Sequence, residues 1–135
     1  MKSLDLACAK AGHEIAEAAT NNDEAENILR KSLGTLQEMG IYAHLLFLAN
    51  QKKNKQIHPD AKIIINKEIE LLSCAEIYGI QNFPDTTQEY QLTDIFNSYE
   101  AAFGDNVSLL FAAKDMLERT LTYALYELKS KDGDQ

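Results

Sequence analysis

Apolar residues recur at three- and four-residue spacing along most of this chain, the period of helices that bury one face. Leu4, Ala7, Ala11, Ile15 and Ala18 predict a first helix, capped by Ser3 and closing near Thr20-Asn21-Asn22. Its Ala-rich stripe implies close packing. Asn22 is placed to cap a second helix whose first turn carries Asp23, Glu24 and Glu26, the charge that a helix N-terminus favours. Ile28, Leu29, Leu33 and Leu36 form its inner face, and Gly40 is its expected stop. The run from Ile41 to Gln51 is apolar on most sides through Leu45, Leu46, Phe47 and Leu48 and predicts a central helix.

Pro59 suits a first helical position, and Ala61-Lys62-Ile63-Ile64-Ile65 opens a fourth helix expected to end at Tyr78, before Gly79. The three isoleucines also fit a strand. The continuation through Ile69, Leu72, Ala75 and Ile77 without a turn residue favours helix. Gln81 to Gln91, with Phe83-Pro84-Asp85, reads as a loop. Leu92 to Phe103 predicts a short helix stopped by Gly104. Asp105 or Asn106 would then cap a long last helix to about Lys129, with Val107, Leu110, Phe111, Leu117, Leu121, Ala124, Leu125 and Leu128 inward. The fold class that follows is all-α, a compact single-domain bundle of about five to six helices over residues 1–130, with 131–135 as a frayed tail.

Length fits one core: the chain has 135 residues, within the ordinary size of a domain. With 45% hydrophobic and 25% charged residues it is too apolar for a disordered chain. The longest uncharged apolar stretch, Ile41 to Ala49, is too short to span a bilayer. Met1-Lys2-Ser3-Leu4-Asp5 lacks the apolar core of a signal peptide, so a cytoplasmic protein is expected. Cys8 and Cys74 sit in helical segments outside any CxxC or zinc spacing, and read as free thiols packed like small hydrophobes.

Catalytic signatures are missing. There is no P-loop, GxGxxG, GxSxG or HExxH. No glutamate stands three positions before His13, His44 or His58, which removes a di-metal carboxylate bundle. The Arg-then-His active site of HEPN ribonucleases is absent, because Arg30 lies far before His44 and no histidine follows Arg119. His13 and Glu17 are one helical turn apart, yet a metal would need two further ligands from elsewhere. His44 reads as a hydrogen-bonded core histidine and His58 as a loop residue. The pairs Glu68 with Glu70 and Asp115 with Glu118 read as wet-face charges. The expectation is a protein that is not an enzyme and holds neither metal nor cofactor.

The net charge of −8 hides a polarity. Residues 1–67 hold nine Lys or Arg against eight acids, a net of +1, whereas residues 68–135 hold four against thirteen, a net of −9. The basic excess gathers in Lys52, Lys53 and Lys55, interleaved with Asn50, Gln51, Asn54 and Gln56. Cations and amides in one loop can hold a phosphate backbone without reading bases. The plainer reading is a solvated loop kept soluble by its lysines. An acidic flank opposite a basic one also permits head-to-tail association of identical copies.

Ile28-Leu29-Arg30-Lys31-Ser32-Leu33, then Met39-Gly40-Ile41, then Leu45-Leu46-Phe47-Leu48-Ala49 resemble the small helical subunit of type III-B CRISPR (Cmr) effector complexes. The opening helix with Lys10-Ala11 and the last helix around Lys114 to Tyr126 are similar in place. The resemblance implies a non-catalytic subunit that self-associates into a short filament beside other subunits of a ribonucleoprotein and lines guide or target RNA. Carried over by position, the RNA contacts are Lys10, Arg30 and Lys31; Lys52, Lys53 and Lys55 join them on charge alone. The last helix departs from the family in offering Leu121, Thr122 and Tyr123 where members carry a Trp and a basic pair. The alternative is an acidic protein-only interaction module, such as a phage or plasmid accessory protein, that binds a basic partner surface.

Overall fold

Ser3 and Asn21 open the first two helices by accepting from the backbone N–H three residues on, Ser3 Oγ from Leu6 and Asn21 Oδ1 from Glu24. The second cap is therefore Asn21, and Asn22 is the first helical residue. A computed structural model describes residues 3–74 and 92–133. They form α1 (Leu4–Ala18), α2 (Asn22–Met39), α3 (Ile41–Ala49), a two-stranded hairpin of β1 (Lys52–Lys53) and β2 (Gln56–Ile57), α4 (Pro59–Cys74), α5 (Leu92–Phe103) and α6 (Val107–Gly133). The all-α bundle expected from periodicity is the observed fold. No helix among the described residues is long and apolar enough to cross a membrane.

Gly40 ends α2 as expected, with φ of +100° and its N–H donating to the Leu36 carbonyl. The isoleucine run is helical, with Ile64, Ile65 and Ile69 fully buried. The expected extension of that helix to Tyr78 and the loop at 81–91 lie outside the described residues. Asn106 caps α6, its Oδ1 accepting from Leu109 N–H. The expected frayed tail begins too early. Residues 131–133 continue α6, and Lys131 is held there by the Ala16 carbonyl and Glu17 of α1.

α1 runs parallel to α6, with Asp5 facing Arg119 and Tyr123, His13 facing Glu127, and Glu17 facing Lys131. It runs antiparallel to α4, where Glu14 meets Lys67 and Thr20 meets Asp60. The closeness of α1 and α6 is set by Gly12: a Cβ there would stand 2.7 Å from the Thr120 carbonyl oxygen and 2.8 Å from Tyr123 Cβ. The buried face of α1 is therefore Cys8, Ala11, Gly12, Ile15 and Ala16, whereas Ala18 is exposed. α3 packs against α2, α4, α5 and α6, in keeping with a central position, although Leu46 is exposed.

The inner stripe of α6 starts later than expected. Val107 and Phe111 are 61% and 64% exposed, while Ala113, Met116, Leu117, Leu121, Ala124 and Leu128 are fully buried. Leu125 lies about five turns on from Val107, on the same line along the helix, and is only 8% exposed. What differs is cover: α1 meets α6 at Met116 and Arg119 through Cys8 and Asp5, beyond the turns that carry Val107 and Phe111.

Candidate nucleic-acid interface

The lysine run is a hairpin, not an irregular loop. Lys53 pairs with Gln56 and Lys52 with Ile57, leaving Asn54-Lys55 as a two-residue turn. Both turn residues have positive φ, +55° and +69°, the signature of a type I′ connection. Asparagine tolerates that region; lysine rarely does, and glycine is the usual occupant of the second position. Sequence reasoning missed the hairpin because Asn-Lys carries a weaker turn signal than Asn-Gly, and because two-residue strands show no alternation. The result presents Lys52, Lys53 and Lys55, all exposed, on a braced tip.

The hairpin root is tied on both sides. His58 N–H donates to the Gln51 carbonyl at 2.6 Å, and Gln51 Nε2 donates to the Phe47 carbonyl. Ile57 packs against the core. Glu24 of α2 is the outer clasp: its Oε2 accepts from Lys53 Nζ at 3.3 Å and from His58 Nε2 at 3.1 Å. Those two hydrogen bonds hold the Glu24 carboxyl below its ordinary pKa. His58 is the loop residue expected, between β2 and α4, but a buried one that anchors the start of α4. Its Nδ1 accepts from Asp60 N–H at 3.0 Å, so in the neutral ring Nε2 carries the proton.

Of the other predicted cations, Lys31 lies two helical turns beyond Glu24 on the same face of α2, about 10 Å along the axis. Arg30 is beside it, exposed, bonded to Asn27 Oδ1 and near Glu26. The hairpin and Lys31 therefore belong to one side of the molecule, whereas Arg30 stands about 100° round α2 from Lys31 and farther from the hairpin. Lys10 does not join them. It stands on the outer side of α1, one turn from His13 and Glu14, and α1 packs on α4 and α6 instead of α2.

The acidic half contributes a groove of about 420 Å³ between the start of α1, the end of α2 and the middle of α6. Asp5, Asp115 and Glu118 line it with Arg119, Tyr123 and the exposed Tyr126. Arg119 is engaged by Asp115 and Asp5, and Tyr123 donates its hydroxyl to Asp5, which raises the phenol above its ordinary pKa. The groove thus keeps an excess of negative charge.

Two histidines have partners that spacing did not reveal. His13 lies against Glu127, which raises its pKa, so the expected His13–Glu17 pair acquires a second carboxylate from α6. His44 is the core histidine expected, but its partner is Glu68, placed on the wet face by the sequence reading and in fact 1% exposed. Cys8 is buried, and burial raises its thiol pKa; it donates to the Met116 carbonyl, with no histidine among its partners. It is the packed free thiol expected.

No family model, curated protein or solved structure matches the chain. The arrangement of charge itself is what a functional reading rests on.

Proposed function

We propose that this protein is a non-catalytic helical subunit that holds RNA by its phosphate backbone, with the lysine hairpin as the leading contact, Lys31 extending it and Arg30 a further cation on the outer side of α2. The observation that carries the reading is Lys55 at φ of +69°. A lysine occupies a turn position where glycine is cheaper, so the tip keeps its cation against a conformational cost. Cations without base-reading partners fit sequence-independent binding, in which each neutralised phosphate adds to the salt dependence. The likeness to the small subunit of type III-B effector complexes supplies the setting: a scaffold of an RNA-guided antiviral ribonucleoprotein, cytoplasmic, self-associating beside larger partners. Lys10, on another side, is then available to a second strand or neighbour.

The test is fluorescence anisotropy with single-stranded and duplex RNA at low salt. Exchanging Lys52, Lys53 and Lys55 together for Glu should weaken binding about uniformly across sequences and flatten the salt slope. Unchanged affinity would reject the hairpin as the contact. The acidic groove beside Tyr126 favours a second reading, a protein-only module for a basic partner, and predicts no retention on RNA at any salt.

A further inference from the structure

We propose that Glu24, His58 and Asp60 bind a single zinc-class divalent cation at the root of the hairpin. One ligand atom from each of the three lies within 4.8 Å of the others. They come from two elements: Glu24 from the first turn of α2, and His58 and Asp60 from either side of Pro59 at the start of α4.

Asp60 points to a missing ligand. The residue is 2% exposed, and its Oδ1 is satisfied by Thr20 N–H at 2.8 Å and Thr20 Oγ1 at 2.9 Å. Its Oδ2 is buried with no hydrogen-bond partner. A buried carboxylate oxygen without a donor is costly, and a bound cation removes that cost. The closest cationic candidate is the His58 ring, whose Nδ1 is 3.9 Å away, beyond hydrogen-bond reach.

The donor set narrows the ion. One imidazole with two carboxylates suits zinc or its first-row neighbours, whereas calcium and magnesium prefer oxygen alone. His58 Nε2 and Glu24 Oε2 are 3.1 Å apart, near the roughly 3.3 Å between neighbouring ligands of a tetrahedral zinc. For Nε2 to take the metal the ring proton moves to Nδ1, which gives up the hydrogen bond it accepts from Asp60 N–H, and Asp60 Oδ2 closes in as the third ligand. A fourth position is left for water. Lys53 Nζ, 3.3 Å from Glu24 Oε2, holds the place of a cation on that carboxylate and would be displaced toward solvent. The cluster of His13, Glu17 and Glu127 is a poorer site, because two of its three residues, His13 and Glu17, are exposed, whereas His58 and Asp60 are buried.

The site does not depend on RNA being the ligand, and its test is separate. Zinc is titrated calorimetrically into the full chain, and cobalt is followed by its visible absorption. One zinc per chain and the bands of four-coordinate cobalt are expected. Glu24→Gln, at a half-exposed residue, and Asp60→Asn, which keeps an Oδ1 acceptor for Thr20, should each weaken binding on the order of 10-fold or more. His13→Gln should leave binding unchanged. Circular dichroism in chelator identifies any variant that fails to fold, and Glu24→Gln carries the test if Asp60→Asn does. Absence of stoichiometric binding, or binding lost with His13→Gln and kept in Glu24→Gln, would overturn the proposal.

Discussion

His44 Nε2 lies 2.6 Å from Glu68 Oε2, and both side chains are 1% exposed. The ring is oriented from its other nitrogen, since Nδ1 donates to the Ser32 carbonyl at 2.8 Å. One hydrogen-bonded chain therefore joins α2, α3 and α4 in the core. Removing one member strands the other without water. His44→Ala or Glu68→Ala should each cost about 3–5 kcal/mol in urea unfolding. Replacing both together, as His44→Leu with Glu68→Met, should recover most of that loss, because a well-packed apolar pair of similar volume is often no worse than a buried ion pair. A double variant as unstable as the singles would show that shape, not charge pairing, governs the site.

The same pair predicts a pH dependence with a definite sign. Burial opposes charging the His44 ring, but the adjacent Glu68 charge and hydrogen bond outweigh it, and the pKa is raised. A raised pKa in the folded state contributes stability that is fully present below the unfolded value of about 6.5 and is lost as pH rises through the folded value. Thermal midpoints of the wild type should therefore fall, relative to those of the apolar double variant, as pH is raised from mildly acidic to alkaline. Parallel curves for the two proteins would refute the linkage. His13 shifts in the same direction beside Glu127, but in solvent, where the contribution to stability is screened.

Gly12 sets the spacing of the parallel α1–α6 seam. A methyl group there would meet the backbone of α6 at Thr120 and Ala124, atoms that cannot rotate away. Gly12→Ala should thus destabilise by about 1–3 kcal/mol despite the better helix propensity of alanine. Gly34→Ala, where the added Cβ meets nothing within 4 Å, is the matched control and should stabilise. Equal midpoints for the two variants would rule out the close approach.

Helical periodicity made the fold legible, because the signal repeats every turn and survives local exceptions. Leu29, Leu36, Ile69 and Leu121 fell inward as their spacing required. Val107 and Phe111 did not, because they stand on the first turns of α6, before the stretch that α1 covers, and periodicity does not show where a neighbouring helix begins. The cations Lys52, Lys53 and Lys55 were legible from charge, but their geometry was not: it depends on φ at Asn54 and Lys55, which composition does not specify. Least legible were Glu68 and Asp60. Both carboxylates are buried by partners more than twenty positions away, His44 and Thr20, and nothing in their local spacing separates them from solvated acids.

Lys55 gives the last prediction, in which stability and binding move in opposite directions. Its φ of +69° lies where a side chain is strained and glycine is at ease. Lys55→Gly relieves that strain in the folded turn but loosens the unfolded chain, and at positive φ the first effect is the larger. The variant should gain up to about 1 kcal/mol in urea unfolding. It also removes one cation from the tip, so RNA affinity at low salt should fall and the salt slope should drop by about 1. Lys55→Asn separates the two effects, since asparagine tolerates the left-handed region yet carries no charge. It should match the glycine variant in binding. If stability rises but RNA affinity is untouched in both variants, the tip lysine is not a phosphate contact.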